Sequence, residues 1–121
     1  MGMFEVNVDG SNLQLFPFFT SQDGAGAPQQ MLLASDGNFY LVDYNGTSGY
    51  GDVAELSPAT GQIVRRFSPF GASSVLGAYP TEMIQASDGT FWGVTNEYGK
   101  VPSNEFADGT VFNANLGLPP R

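Results

Sequence analysis

The chain has 121 residues, with 12 Asp plus Glu against four Lys plus Arg, a net charge of −8, and neither histidine nor cysteine. Only Arg65 and Arg66 are adjacent cations, so the chain lacks the basic footprint of a nucleic-acid or anionic-membrane binder, and neither is expected as a partner. The missing cysteines exclude disulfides and thiolate metal sites. The missing histidines leave any catalysis to carboxylates, Tyr, Ser, Thr or a carboxylate-held metal.

With 16 Gly, 8 Pro and no long apolar run, the sequence reads as short strands joined by turns, an all-β domain. No stretch approaches the roughly 18 to 20 apolar residues that span a bilayer. Residues 1–10 have neither the basic start nor the apolar centre of a signal peptide. In chain order, alternation and turn chemistry predict strands over 3–8 and 13–19, then 30–34 and 39–43, 53–57 and 62–67, 82–86 and 91–95, and finally 111–115. The Asp-Gly pairs between 30–34 and 39–43, and between 82–86 and 91–95, tolerate the positive φ that a tight hairpin needs.

The chain repeats itself. Ala34-Ser35-Asp36-Gly37 returns as Ala86-Ser87-Asp88-Gly89, 52 positions on, and Pro28 and Pro80 stand at the same spacing. This divides a single repeat domain, 1–121, into a first repeat over about 28–79, a second over about 80–118 and a partial unit over 1–27. Each period holds four strands, a to d. Four-stranded units at a period near 50 residues are the signature of β-propeller blades, so the expected fold is all-β, with blades of four antiparallel strands and about two blades per chain. Two blades cannot surround an axis, and the ring is expected to be completed by oligomerisation or by missing repeats. A homo-oligomer of three chains is the expected state, with strand 13–19 of a neighbour completing the last blade. Two c strands, 3–8 and 111–115, then compete for one place.

The stretches "ASDGNFY", "GDVAELSPATG", "ASDGTFWGVTNEYG" and "DGTVF" resemble the GloVer tandem repeat of large bacterial surface or secreted proteins, and more distantly NHL and kelch blades. The resemblance runs from about residue 3 to 118. It implies a propeller-like module at a bacterial exterior, extracellular or on the cell surface, and carries no catalytic motif. The chain departs from the pattern at Leu41, Val42 and Asp43, where Gly-Thr-Thr is expected, and at Ala54, where an aromatic follows Val.

The a–b and c–d turns are short and belong at one end of a blade; the connections 20–27, 44–51, 68–79 and 96–108 belong at the other, where binding residues concentrate. There Tyr44, Tyr50, Tyr79 and Tyr98 read as stacking platforms for sugar rings or as covers for the seams between blades. Asp43 and Glu97, with Asp23, Glu105 and Asp108, read as carboxylates for hydrolysis or a hard cation, or as a solvated acidic surface. The loop from Asp43 starts like a calcium loop but lacks Gly at its sixth place and has Ala54 at its twelfth, so a Gly-rich turn explains it as well; no cofactor is expected, with calcium the alternative. Gln30 and Glu82 open the a strands and suit a polyol or hydrated cation, or only line a wet channel. Trp92, aligned with Tyr40, reads as packing between blades, as do Met31, Leu33, Met83 and Ile84 and the phenylalanines Phe4, Phe16, Phe18, Phe39, Phe67, Phe91 and Phe112. The leading expectation is a non-catalytic structural and interaction scaffold with its own copies, a glycan or another surface protein as partner. A carbohydrate-binding propeller is the alternative, and a carboxylate- or metal-dependent hydrolase the third.

Overall fold

The Asp-Gly pairs at 36–37 and 88–89 close hairpins of the same construction. The Ala34 amide donates to the Asn38 carbonyl at 2.9 Å and that of Gly37 to Ala34 at 3.0 Å; Ala86 and Gly89 repeat these bonds at 2.8 and 3.0 Å. Asp36 and Asp88 each accept, at 3.0 Å, the amide two residues on. Gly37 and Gly89 take φ of 84° and 91°, backbone that costs a glycine little.

The computed structural model describes residues 3–16, 28–99 and 108–121. Among them every regular element is a strand, and no helix is long and apolar enough to cross a membrane. A two-stranded sheet pairs β1 (Met3–Glu5) with β2 (Gln14–Phe16). A four-stranded sheet runs in chain order through β3 (Pro28–Leu33), β4 (Phe39–Asp43), β5 (Asp52–Ser57) and β6 (Gln62–Phe67). A three-stranded sheet follows with β7 (Ala78–Gln85), β8 (Phe91–Glu97) and β9 (Thr110–Ala114). All pairings within these sheets are antiparallel, and the strands take the expected order. The described sheets do not close a ring. Strands β3 and β7 begin earlier than expected because Pro28 and Pro80 lie inside the pairing, each followed by a register shift. Both are edge strands, where a missing N–H is tolerated. The expected continuation of β2 to residue 19, the connection 20–27 with Asp23, and Glu105 lie outside the described residues.

The two larger sheets pack face to face. Tyr40, Val42 and Val53 from one meet Met83, Phe91 and Phe112 from the other in a buried core completed by Ala34 and Phe70. The Tyr40 and Phe91 rings lie 5.0 Å apart across this seam, and Phe70, from the connection between β6 and β7, meets Phe112 edge-on at 5.3 Å. Strand alternation sends Leu41, Ala54 and Leu56 to the opposite face of the four-stranded sheet, where Phe39 and Ile63 join them. Side chains also lock the seam: Gln30 Oε1 accepts the Met83 amide at 2.6 Å, and Gln85 Oε1 accepts that of Ser35 at 2.9 Å. Residues 115–121 then run beneath both hairpins. The Ser35 hydroxyl donates to the Pro119 carbonyl at 2.5 Å, and the Arg121 amide to that of Ser87 at 3.0 Å.

The expected aromatic packing is made in part. Phe91 and Phe112 are buried and Phe39 and Phe67 half-buried, but Phe4 is exposed; the Phe16 side chain and Phe18 lie outside the description. Tyr40 is fully buried while its counterpart Trp92 remains 47% exposed. The two hold the same position in the 52-residue spacing, and among the described sheets only Tyr40 has one packed over it.

Candidate functional site

The loop between β4 and β5 is built by the carboxylates at its ends. Asp43 Oδ1 accepts the amides of Asn45 and Gly46 at 3.2 and 3.1 Å, starting the turn. Asp52 Oδ2 accepts that of Thr47 at 3.1 Å, and Asp52 is paired with Arg66 at 3.1 Å. Gly51, at φ 99°, lies so close to Pro80 that any Cβ would overlap the proline ring. The loop therefore rests on the start of β7, and the Tyr79 amide donates to the Tyr50 carbonyl at 2.8 Å.

This contact gathers four tyrosines from three segments. Tyr44 stacks on Tyr79 with ring centroids 4.9 Å apart and planes 24° from parallel. Tyr50 lies 6.2 Å from Tyr79 and meets Tyr98 nearly edge-on at 6.3 Å, and Tyr79 and Tyr98 are also 6.3 Å apart. Such offset and edge-on geometries suit the ring quadrupoles. All four are half-buried, so part of the cluster faces water. Tyr79 and Tyr98 hold left-handed backbone, φ 60° and 62°, a strained choice for a side chain of this size. Loss of solvent around Tyr79 raises its phenol above the ordinary value, and the charges of Tyr98 and Glu97 act in the same direction. The cluster thus brings together Tyr44, Tyr50, Tyr79, Tyr98 and, beside them, Glu97.

The remaining predicted residues go elsewhere. Asp43 is fully buried, and desolvation lifts its carboxyl above the ordinary range against the opposing pull of the Gly46 amide. Its Oδ2 is buried and has no hydrogen-bond partner among the described residues. Gln30 is a fastener between sheets, its acceptor occupied by Met83. Glu82 is exposed on the face of β7 turned away from the four-stranded sheet, alternating with buried Met83. Among the described residues no three His, Cys, Asp or Glu stand close enough together to share a metal ion. Two cavities elsewhere, of about 420 Å³ beside Phe4, Met31 and Phe39 and about 380 Å³ beside Phe67, Phe70 and Phe112, are lined by none of the predicted site residues.

Two charge pairs were not singled out from the sequence: Glu55 with Arg65, and Asp52 with Arg66. Both follow from cross-strand register, since Glu55 lies opposite Arg65 and Arg66 diagonal to Asp52 on the β5–β6 ladder. The adjacent arginines, read as too few for a polyanion, are stitches within one sheet. No protein-family model and no curated protein matches the sequence.

Proposed function

We propose that this chain is a non-catalytic interaction module, a run of propeller-like blades of the GloVer type that acts as a rigid scaffold at a bacterial exterior. The observation carrying this reading is the row Ile84, Trp92, Val94 and Val111 on the three-stranded sheet, each at least 39% exposed. A contiguous apolar face on a hydrogen-bonded sheet suits another macromolecule. The polar candidates support the reading from the other side, because Gln30 and Asp43 are engaged in holding sheets and loops together. On this reading further copies complete the ring, three chains supplying six blades.

The tyrosine cluster favours a second reading, carbohydrate binding. Stacked, half-exposed rings with free edges match the apolar face and hydroxyl rim of a sugar. A glycan array run beside a metal-supplemented hydrolase screen tests both readings. The module reading predicts no turnover and no saturable glycan binding. Saturable binding that is lost in both Tyr44→Ala and Tyr98→Ala would replace it with the second reading, and turnover abolished by one carboxylate substitution would overturn both.

A further inference from the structure

At the 52-residue spacing, Leu32, Tyr40 and Val42 correspond to Ile84, Trp92 and Val94. Register adds Val53, opposite Val42, and Val111, opposite Val94. The first set seals the seam, with Tyr40 and Val42 at 0% and Val53 at 5% exposure. The second is the same face of the next repeat left open, with Ile84 at 63% and Val111 at 72%. The receiving half of that seam is also present twice. Met83, 2% exposed under the four-stranded sheet, corresponds to Met31, which is 49% exposed, and Gln85 to Leu33, which is 53% exposed.

We infer that a second copy of this chain docks head to tail, the open face of the three-stranded sheet in one copy seating on the Met31 and Leu33 face of the four-stranded sheet in the next. This rests on the interaction-module reading and names the partner. The docking repeats a seam that the chain already makes within itself, down to its hydrogen bond. Gln30 Oε1 accepts the Met83 amide across the seam. At the repeat spacing Gln30 becomes Glu82 and Met83 becomes Met31. Met31 lies opposite Leu41 as Met83 lies opposite Gly93, and alternate residues of an antiparallel edge strand turn their amides outward, so the Met31 N–H faces the same way. The Glu82 carboxylate of one copy accepts it, a charge-assisted version of the bond inside the chain.

The hairpin β1–β2 pairs Met3 with Phe16 as β5–β6 pairs Val53 with Phe67, so β1 and β9 hold the same place in the repeat. Phe4, Glu5 and Val6 line one cavity with Met31 and Phe39, so docking requires β1 to yield that place to the five-residue β9, which is paired along β8. The two docking surfaces differ, so the contact is not self-complementary and runs on until a ring closes or a filament grows.

The test uses the full chain and two surface variants, Trp92→Arg on the open face and Met31→Glu on the receiving face, with circular dichroism to show that each stays folded. Sedimentation velocity and light scattering on the wild type should show concentration-dependent assembly, with the emission of Trp92, the only tryptophan, moving to shorter wavelength as it is covered. Each variant alone should bind its own kind about thirtyfold or more weakly, the loss that a central anchor gives. An equimolar mixture should form a dimer and stop, because one intact face of each kind remains. Glu82→Gln should assemble and Glu82→Arg should not. A wild type that stays monomeric, an assembly that leaves Trp92 emission unchanged, a variant that assembles alone or a mixture that does not pair would each overturn the docking. A monomer without turnover would overturn the docking and the completion of a ring by further copies, and would leave only a scaffold that meets a different macromolecule.

Discussion

Phe112 lies across Gly93. The two are cross-strand partners on β8 and β9, and a Cβ at Gly93 would overlap the Phe112 ring. In the four-stranded sheet Leu41 and Ala54 are partners at the same place. One sheet therefore combines no side chain with a large one, and the other a large with a small. Between the two halves of the chain, Leu41 for Gly93 and Ala54 for Phe112 are two halves of one exchange.

Gly93→Leu should overpack this site and cost about 1–3 kcal/mol, and Phe112→Ala should cost about 3–5 kcal/mol through the cavity it leaves. Combined, they reproduce the pair used by the first repeat, and the double variant should be clearly more stable than the sum of the single losses predicts. A double-mutant cycle by chemical denaturation reads the coupling; additive losses would refute the exchange.

Phe91 and Phe39 align in the repeat but differ in cover. Phe91 is fully buried in the seam, whereas Phe39 is half-buried on the opposite face of its sheet. Phe91→Ala should cost about 3–5 kcal/mol and Phe39→Ala less, in thermal or denaturant unfolding of the same preparation. Equal losses would mean that both faces are equally covered in solution, as an assembly would make them.

Much of this was legible beforehand, and the shortfalls have physical causes. Strands β4 and β6 match the expected 39–43 and 62–67, because Asp-Gly and Thr-Gly turns mark their ends. Strands β3 and β7 start earlier than the sequence pattern predicts because each carries a proline and a register shift near its start, which breaks the two-residue alternation. The convergence of Tyr44, Tyr50, Tyr79 and Tyr98 followed from assigning long connections to one end. The contrast between Tyr40 and Trp92 was not readable: aligned positions look alike, and burial depends on which sheet stacks on which.

Asp43 gives a pH signature. Desolvation raises its carboxyl in the folded state, so between the ordinary carboxylate value, near 4, and that raised value the folded state binds more proton than the unfolded. Stability should then fall as pH rises through that window, stay reduced above it, and recover on acidification below it. Asp43→Asn keeps an acceptor for the Asn45 and Gly46 amides and removes the titration. The difference between the two proteins' unfolding free energies, followed from pH 4 to 7, should carry this slope; a flat difference would rule it out.

Gln30 separates a fastener from a ligand group. Gln30→Leu strands the Met83 amide in the seam and should cost about 1–3 kcal/mol, while Gln30→Glu keeps an acceptor and should cost less. Unfolding midpoints check this; equal midpoints for all three proteins would return Gln30 to the list of ligand-binding candidates.

The strap formed by residues 115–121 bears on how the chain reaches its fold. The hairpins close between neighbours a few residues apart, but the bond from Ser35 to Pro119 joins positions 84 apart. Contacts this distant carry the largest loop-closure entropy and form late. A refolding chain should therefore gain its ladders early and its fastened seam last, passing through a stage in which two formed sheets are held only by apolar contact.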